Sequence, residues 1–309
     1  FLDQVLNKLN QDIELLLSNG ITKQMSNGTI TIPCTLSSFV GDSKSAYLFL
    51  GFPDTFYLGF RCRICGATYT EIQDGILNKT CFGSAEDIEE YWRLVNNAEG
   101  IYLPHDDLVR ELFGLVRTFK FASVESQIDP WWISPTDVCH DLLEGAIPKL
   151  ISFILALLTK LFLKNKDQMV LIITTKQFYD APFAIRSVPG GFSIDGDMIQ
   201  KAELFIRLEQ ILLDDLPTIA GVSAQLIYES LPFQLYLSLK SVSIISFQTI
   251  ISNNDLEILT TEIKSMFLIL KSLDPSFPIT PKMHHITHYP SLIIKFGPLV
   301  QFSSLPFER

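Results

Sequence analysis

The chain has 309 residues, a formal net charge of −10 and 47% apolar residues. These values allow a large buried core and exclude a disordered chain. The acidic balance excludes a general electrostatic attraction to nucleic acid, so any contact with DNA needs local basic patches. Five cysteines in this length exclude a disulfide framework and favour a reducing compartment.

The first forty residues predict a helix followed by strands. Apolar residues recur at helical spacing over residues 2–18, and Gly20 fits as the stop of that helix. Residues 29–40 are rich in Thr, Ile and Val, which predicts one or two strands that lead to Asp42. An Asp at the end of a buried strand is well placed to project its carboxylate from the edge of a sheet.

Most of the remaining chain has helical periodicity. The predicted helices span residues 85–96, 105–119, 137–164, 175–184, 197–212, 217–231, 232–252 and 255–273, and a last helix within 281–297 carries the histidines. A loop is expected at Pro189-Gly-Gly. Lys149 and Lys160 interrupt the apolar stretch 146–163, which favours a buried helix over a membrane span.

Two groups of residues have the chemistry of a zinc site. Cys62 and Cys65 form a Cys-x-x-Cys pair, and His284 and His288 would share one face of a helix at their i, i+4 spacing. Zinc takes four such ligands, so the pairs predict one long-range zinc site that closes over two hundred residues of chain. His285 could replace His284, because it lies three residues before His288.

Two other interpretations of these residues stay open at the level of sequence. The cysteine pair and the histidines could be a coincidence without a metal. A more local zinc set would combine Cys62 and Cys65 with Cys81 and His140, but it leaves the histidine cluster unexplained.

Further candidate residues lie outside the zinc set. Asp42 and Glu308, each twenty residues from the nearest zinc ligand, could hold Mg²⁺, although each could equally be an ordinary exposed acid. Asp137 and His140 lie one turn apart at the start of a helix, where Asp137 could be an N-cap. Trp131, with the adjacent tryptophan, could stack on bases but is typical of a core or interface anchor.

These segments together, in this order, resemble the DDE-type DNA transposases with an RNase H-like core. The nearest group holds the CACTA (En/Spm) and Transib transposases and the catalytic subunit of the antigen-receptor gene recombinase. The segments that carry the resemblance are Phe39-Val-Gly-Asp42, Cys62-Arg-Ile-Cys65, Asp137-Val-Cys-His140, Lys282-Met-His284-His285-Ile-Thr-His288 and Phe302-Ser-Ser-Leu-Pro-Phe-Glu308.

The resemblance implies a helix-rich α+β fold, in which a zinc site clamps a large α-helical insertion to a partial RNase H-like core. Its divisions would be residues 1–61 for the partial core, 62–136 for the cysteine segment, 137–280 for the insertion and 281–309 for the histidine and glutamate segments.

The resemblance also implies site roles and a reaction. Asp42 and Glu308 would be catalytic and bind Mg²⁺ or Mn²⁺, and His140 would lie near the substrate. Zn²⁺ would be structural. The intact protein would act on DNA in the nucleus by two-metal phosphodiester cleavage and strand transfer. It would have no membrane partner, and it could form a homodimer.

One departure from the family affects the expected activity. The family's first catalytic Asp should lie on a strand well upstream of Asp42, and the earlier acids of this chain fall within the helical pattern at its start. We therefore expect this chain to be a fragment that is inactive alone. The alternative is a domesticated or decayed protein without enzymatic activity, in which zinc stabilises an interaction or DNA-binding fold.

Overall fold

The structure of the chain is a computed structural model. It describes residues 2–34, 38, 40, 52, 61–75, 84, 86–87, 89–90, 93, 131, 134–174, 184–195 and 198–304. The chain divides into two compact units, of which one comprises residues 1–40, 44–68 and 80–135 and the other residues 41–43, 69–79 and 136–309.

The first unit begins with a helix and a hairpin. The predicted first helix is confirmed as Leu2–Asn19, and Gly20 ends it with a φ of +66°, which glycine adopts without strain. Strands Ile21–Met25 and Gly28–Ile32 follow as an antiparallel hairpin with Ile21 opposite Ile32.

The predicted strand region 29–40 is wrong in two respects. The strand there ends at Ile32, and the described residues beyond it, at 33–34, 38 and 40, are not in a strand. Both strands of the hairpin are also exposed along their whole length rather than buried. Thr and Ile favour an extended backbone whether or not a sheet covers them, so composition alone overstated the extent of the strand and its burial.

The second unit is mainly helical. Its elements are the short helix Tyr69–Gln73, the π-helical turn Cys139–Ala146, helices Ile147–Phe162, Lys166–Thr174, Met198–Ala220, Ala224–Tyr228, Leu231–Ser246, Asn253–Leu273, Pro281–His285 and Tyr289–Phe296, and 3₁₀ turns at Ile286–His288 and Leu299–Phe302. Strands Ala184–Val188 and Gly191–Asp195 form a second antiparallel hairpin. The described residues are therefore helix-rich with two small sheets, in agreement with a helix-rich α+β chain.

The apolar helix Ile147–Phe162 lies in the core of this unit. It packs against Leu231–Ser246, Met198–Ala220 and the strand Gly191–Asp195. The segment Cys139–Phe162 is long and apolar enough to cross a membrane by length and composition, but 61% of its most apolar window is buried inside the protein. That burial is what a core helix shows.

Several predicted boundaries in this unit are wrong. A helix was expected at 175–184, but Ala184 is the first residue of a strand. That strand pairs with Gly191–Asp195 through a two-residue turn at Pro189-Gly190, where only a loop was expected. Pro217 was expected to begin a helix but lies within Met198–Ala220. A proline in the last turn leaves only the carbonyl of Leu213 without its usual helical donor, which the helix tolerates near its end.

Candidate metal centre

The Cys-x-x-Cys pair is held in a tight loop. Arg61 and Thr68 form an isolated antiparallel bridge at its base, and the N–H of Cys62 donates to the carbonyl of Ala67 at 2.8 Å. Gly66 turns the chain with a φ of +64° and donates its N–H to the carbonyl of Cys62 at 2.7 Å. Both thiols are reduced and buried, so the loop presents two sulfur atoms from a single turn.

Local helix geometry brings the two histidines together. Thr280 caps the helix Pro281–His285 by accepting the N–H of Met283, and a 3₁₀ turn carries His288. The two Nε2 atoms of His284 and His288 lie 3.2 Å apart, and the rings are nearly perpendicular at 87°. Two imidazoles with their Nε2 atoms this close have the spacing of neighbouring ligands on one ion.

The four residues Cys62, Cys65, His284 and His288 are buried, and their ligand atoms all lie within 4.8 Å of one another. We call this group the Cys2His2 cluster. Tetrahedral zinc has bonds of about 2.3 Å to sulfur and about 2.0 Å to nitrogen, which places its ligand atoms about 3.3–3.8 Å apart. The 3.2 Å between the two histidine nitrogens is close to this value, and the limit of 4.8 Å for the whole set is about 1 Å above it. With its thiol and imidazole donors, the cluster could hold a metal such as zinc.

The alternative ligands are committed to other partners. His285 is buried, and its Nδ1 lies 3.2 Å from Oδ1 of Asp141. His140 is bonded through Nδ1 to Asp137, and Cys81 lies outside the described residues. The structure therefore brings together the set with His284 and not the set with His285, whereas the set with Cys81 and His140 stays a prediction.

A second buried polar network surrounds Asp137, which has no exposed surface. Its Oδ1 accepts the N–H of Cys139 at 2.9 Å and the hydroxyl of Ser303 at 3.3 Å. Its Oδ2 accepts Nδ1 of His140 and the N–H of Ser304, each at 2.9 Å, and the hydroxyl of Ser304. Asp137 thus caps the start of a helix, as the sequence suggested, and also binds a segment 167 residues later.

The ionised form of Asp137 is favoured by these contacts. Burial raises the pKa of the carboxyl, but the hydrogen bonds from His140 and from the hydroxyl and N–H of Ser304 outweigh burial and lower the pKa from 3.8 to about 2. The other ring nitrogen of His140 lies 3.7 Å from Glu144, whose carboxylate is 3.6 Å from Lys282. Asp137 therefore fixes the orientation of His140 and leaves Nε2 towards a partly exposed charged pair.

Other candidate residues have mixed outcomes. Asp42 and Glu308 lie outside the described residues, so the proposed Mg²⁺ site stays a prediction. Trp131 is fully buried, and its carbonyl accepts the guanidinium of Arg63 at 2.8 Å, which fits a core anchor rather than a stacking platform. Asp141 lies in the first turn of Cys139–Ala146 and is the buried partner of His285.

Sequence reasoning missed the part played by Ser303 and Ser304. No motif marks two serines as partners of a distant aspartate, because a hydroxyl fits many surroundings.

No protein-family model matches the chain, and a search of curated proteins finds no match.

Proposed function

We propose that this chain contributes the zinc-stabilised catalytic core of a cut-and-paste DNA transposase of the DDE type. The observation that carries the proposal is the Cys2His2 cluster, because its four members are the residues quoted for the two zinc segments of the resemblance. Cys62 and His284 are more than two hundred residues apart in the chain, so chance gives little reason for their ligand atoms to meet.

The donor set supports a structural role for the metal. Four protein ligands complete tetrahedral zinc and leave no position for water or substrate, unlike catalytic sites with three protein ligands. Bound zinc would stabilise the fold by closing the long chain between the pairs, because the binding free energy adds to the folding free energy.

The chemistry we propose belongs to other residues. Asp42 and Glu308 would bind Mg²⁺ or Mn²⁺, which supplies charge neutralisation at a phosphodiester when bound. His140, oriented by Asp137, would offer Nε2 as a hydrogen-bonding group near the scissile phosphate. The RNase H-like core, the DNA substrate, the nuclear location and a homodimer belong to this proposal.

Elemental analysis tests the zinc part. The purified protein should contain about one zinc per chain, and Cys65→Ser or His288→Asn should release it. Cys34→Ser is the matched control, because Cys34 is a half-exposed free thiol in the first unit and takes no part in the cluster. Full retention of zinc by both Cys65→Ser and His288→Asn would refute the site.

A nicking assay tests the activity. The product of the complete gene, incubated with supercoiled DNA and Mn²⁺, should cut the DNA, and Asp42→Asn should abolish cutting. Asp74→Asn, at an exposed turn, serves as the control and should keep full activity. A zinc-loaded protein that never cuts DNA would instead support the non-enzymatic alternative.

A further inference from the structure

Gln73 binds the main chain of a distant segment at two points. Its Nε2 donates to the carbonyl of Ile279 at 2.6 Å, and the N–H of Ile279 donates to its Oε1 at 3.0 Å. The side-chain amide therefore donates to and accepts from the backbone of one residue, in the way that a strand pairs with its neighbour. The two residues are 206 positions apart in the sequence. Both partners belong to the second unit.

Lys271 strengthens the same junction. Its ammonium donates to the carbonyl of Gln73 at 2.8 Å, to that of Pro275 at 3.1 Å and to that of Phe277 at 3.2 Å. An ammonium has three N–H groups, so these carbonyls use its full donor capacity. The side chains of Ile72, Phe277 and Ile279 are buried, and the bonds between Gln73 and Ile279 are part-buried, which reduces the access of water to them.

The junction lies between the two halves of the Cys2His2 cluster in the sequence. Gln73 follows Cys65 by eight residues, and Ile279 precedes His284 by five. We propose that Gln73 and Lys271 are positioning residues of the cluster, which hold the two ligand-bearing segments together before a metal binds. This inference rests on the zinc site in the proposed function, but the sequence resemblance assigns no role to either residue.

Loop-closure entropy sets the size of the effect. Without the junction, over two hundred residues of chain separate the ligand pairs. With it, the connecting path is thirteen residues, eight from Cys65 to Gln73 and five from Ile279 to His284. Since closure probability falls as the 3/2 power of loop length, the junction raises the effective concentration of one pair at the other by at most about 70-fold. Other packing of the second unit retains part of this gain, so we expect each variant to weaken zinc binding by roughly 5- to 70-fold.

Competition with a chromogenic chelator measures the zinc dissociation constant of each variant. Gln73→Met keeps the length of the side chain but removes both hydrogen bonds, and Lys271→Met removes the ammonium. The matched control is Gln225→Met, because Gln225 bonds only to exposed Glu229 within its own helix. We expect weaker zinc binding in both junction variants and an unchanged constant in the control.

Two further readings separate positioning from general stability. Amide hydrogen exchange at Ile279 should stay slow in zinc-free wild-type protein and become fast in Gln73→Met. A junction that is only structural would lower the melting temperatures of zinc-free and zinc-loaded protein equally and leave the dissociation constant unchanged, which overturns the inference. If wild-type protein binds no zinc, both the zinc site and this inference are refuted. If wild type and the junction variants bind zinc with equal affinity, only this inference is refuted.

Discussion

Replacing Asp137 with Asn should remove a buried charge that accepts five hydrogen bonds. The carboxylate accepts hydrogen bonds from Cys139, His140, Ser303 and Ser304. The Asn amide keeps one oxygen that can accept hydrogen bonds. Its NH₂ group replaces the second oxygen and would face N–H and O–H donors, with which it cannot form a hydrogen bond. The variant should therefore lose the interaction energy that favours the ionised form of Asp137.

The lowered pKa gives the magnitude. Hydrogen bonds from His140 and Ser304 outweigh the opposing effect of burial and bring the pKa of Asp137 from 3.8 to about 2. At about 1.4 kcal/mol per unit, the ionised group contributes roughly 2 kcal/mol to the free energy of unfolding at neutral pH. Since the pKa in the folded state is depressed, this contribution is complete above pH 5 and is lost as the pH falls through 3.8 towards 2.

Urea unfolding followed by far-ultraviolet circular dichroism checks both statements. Asn at position 137 should lower the free energy of unfolding by about 2 kcal/mol at pH 7. Between pH 6 and pH 3 the wild type should lose about 1 kcal/mol more than the variant, because proton uptake by Asp137 is absent from the variant. Asp167→Asn, on an exposed helix turn, is the control. Parallel pH profiles for wild type and Asp137→Asn would refute the reasoning.

Three other changes give distinct outcomes. Gly145→Ala should lower the melting temperature and weaken zinc binding, because a Cβ there would lie 2.9 Å from the side chain of Lys282 and 3.2 Å from the carbonyl of His140; unchanged values in thermal melts and chelator titrations would contradict the close packing. His285→Leu should keep about one zinc per chain by elemental analysis while costing about 1–3 kcal/mol in urea unfolding, since it removes the ring nitrogen that lies 3.2 Å from the buried carboxylate of Asp141; loss of the zinc would make His285 a ligand. Tyr236→Phe should cost about 1–2 kcal/mol, because its buried hydroxyl donates to the carbonyl of Phe205 at 2.8 Å and accepts the N–H of Glu209 at 3.1 Å; equal urea midpoints would show that these bonds add nothing.

The helices and the zinc ligands were predictable for different physical reasons. Helical periodicity is local, so Leu2–Asn19, Ile147–Phe162 and Asn253–Leu273 follow from the spacing of their apolar residues. The chemistry of zinc marked Cys62, Cys65, His284 and His288 as candidate ligands, but only the structure separates His284 from His285 as the fourth member.

The remaining features depend on tertiary surroundings that no local pattern encodes. The exposed strand Gly28–Ile32 has the composition of a buried one, and only a covering layer would distinguish the two. Ser304 and Gln73 are ordinary polar residues until Asp137 and Ile279 come within hydrogen-bonding distance. Their roles arise from contacts between segments over 160 residues apart, which periodicity over one turn of helix cannot predict.

The donor chemistry of the Cys2His2 cluster limits the part that a bound metal can play. The Cys2His2 cluster uses thiolate and imidazole donors and is buried, so a tetrahedral ion there has no position for a water molecule or a phosphate. Nε2 of the buried His140 lies 3.7 Å from the carboxylate of the more exposed Glu144, which is itself 3.6 Å from the ammonium of Lys282. Under the proposed function, replacing a zinc ligand in the product of the complete gene, as in Cys65→Ser, should lower stability first and DNA cutting only as a consequence. His140→Ala should reduce DNA cutting in protein that keeps its zinc. Equal loss of zinc in both variants would mean that the two sites are one.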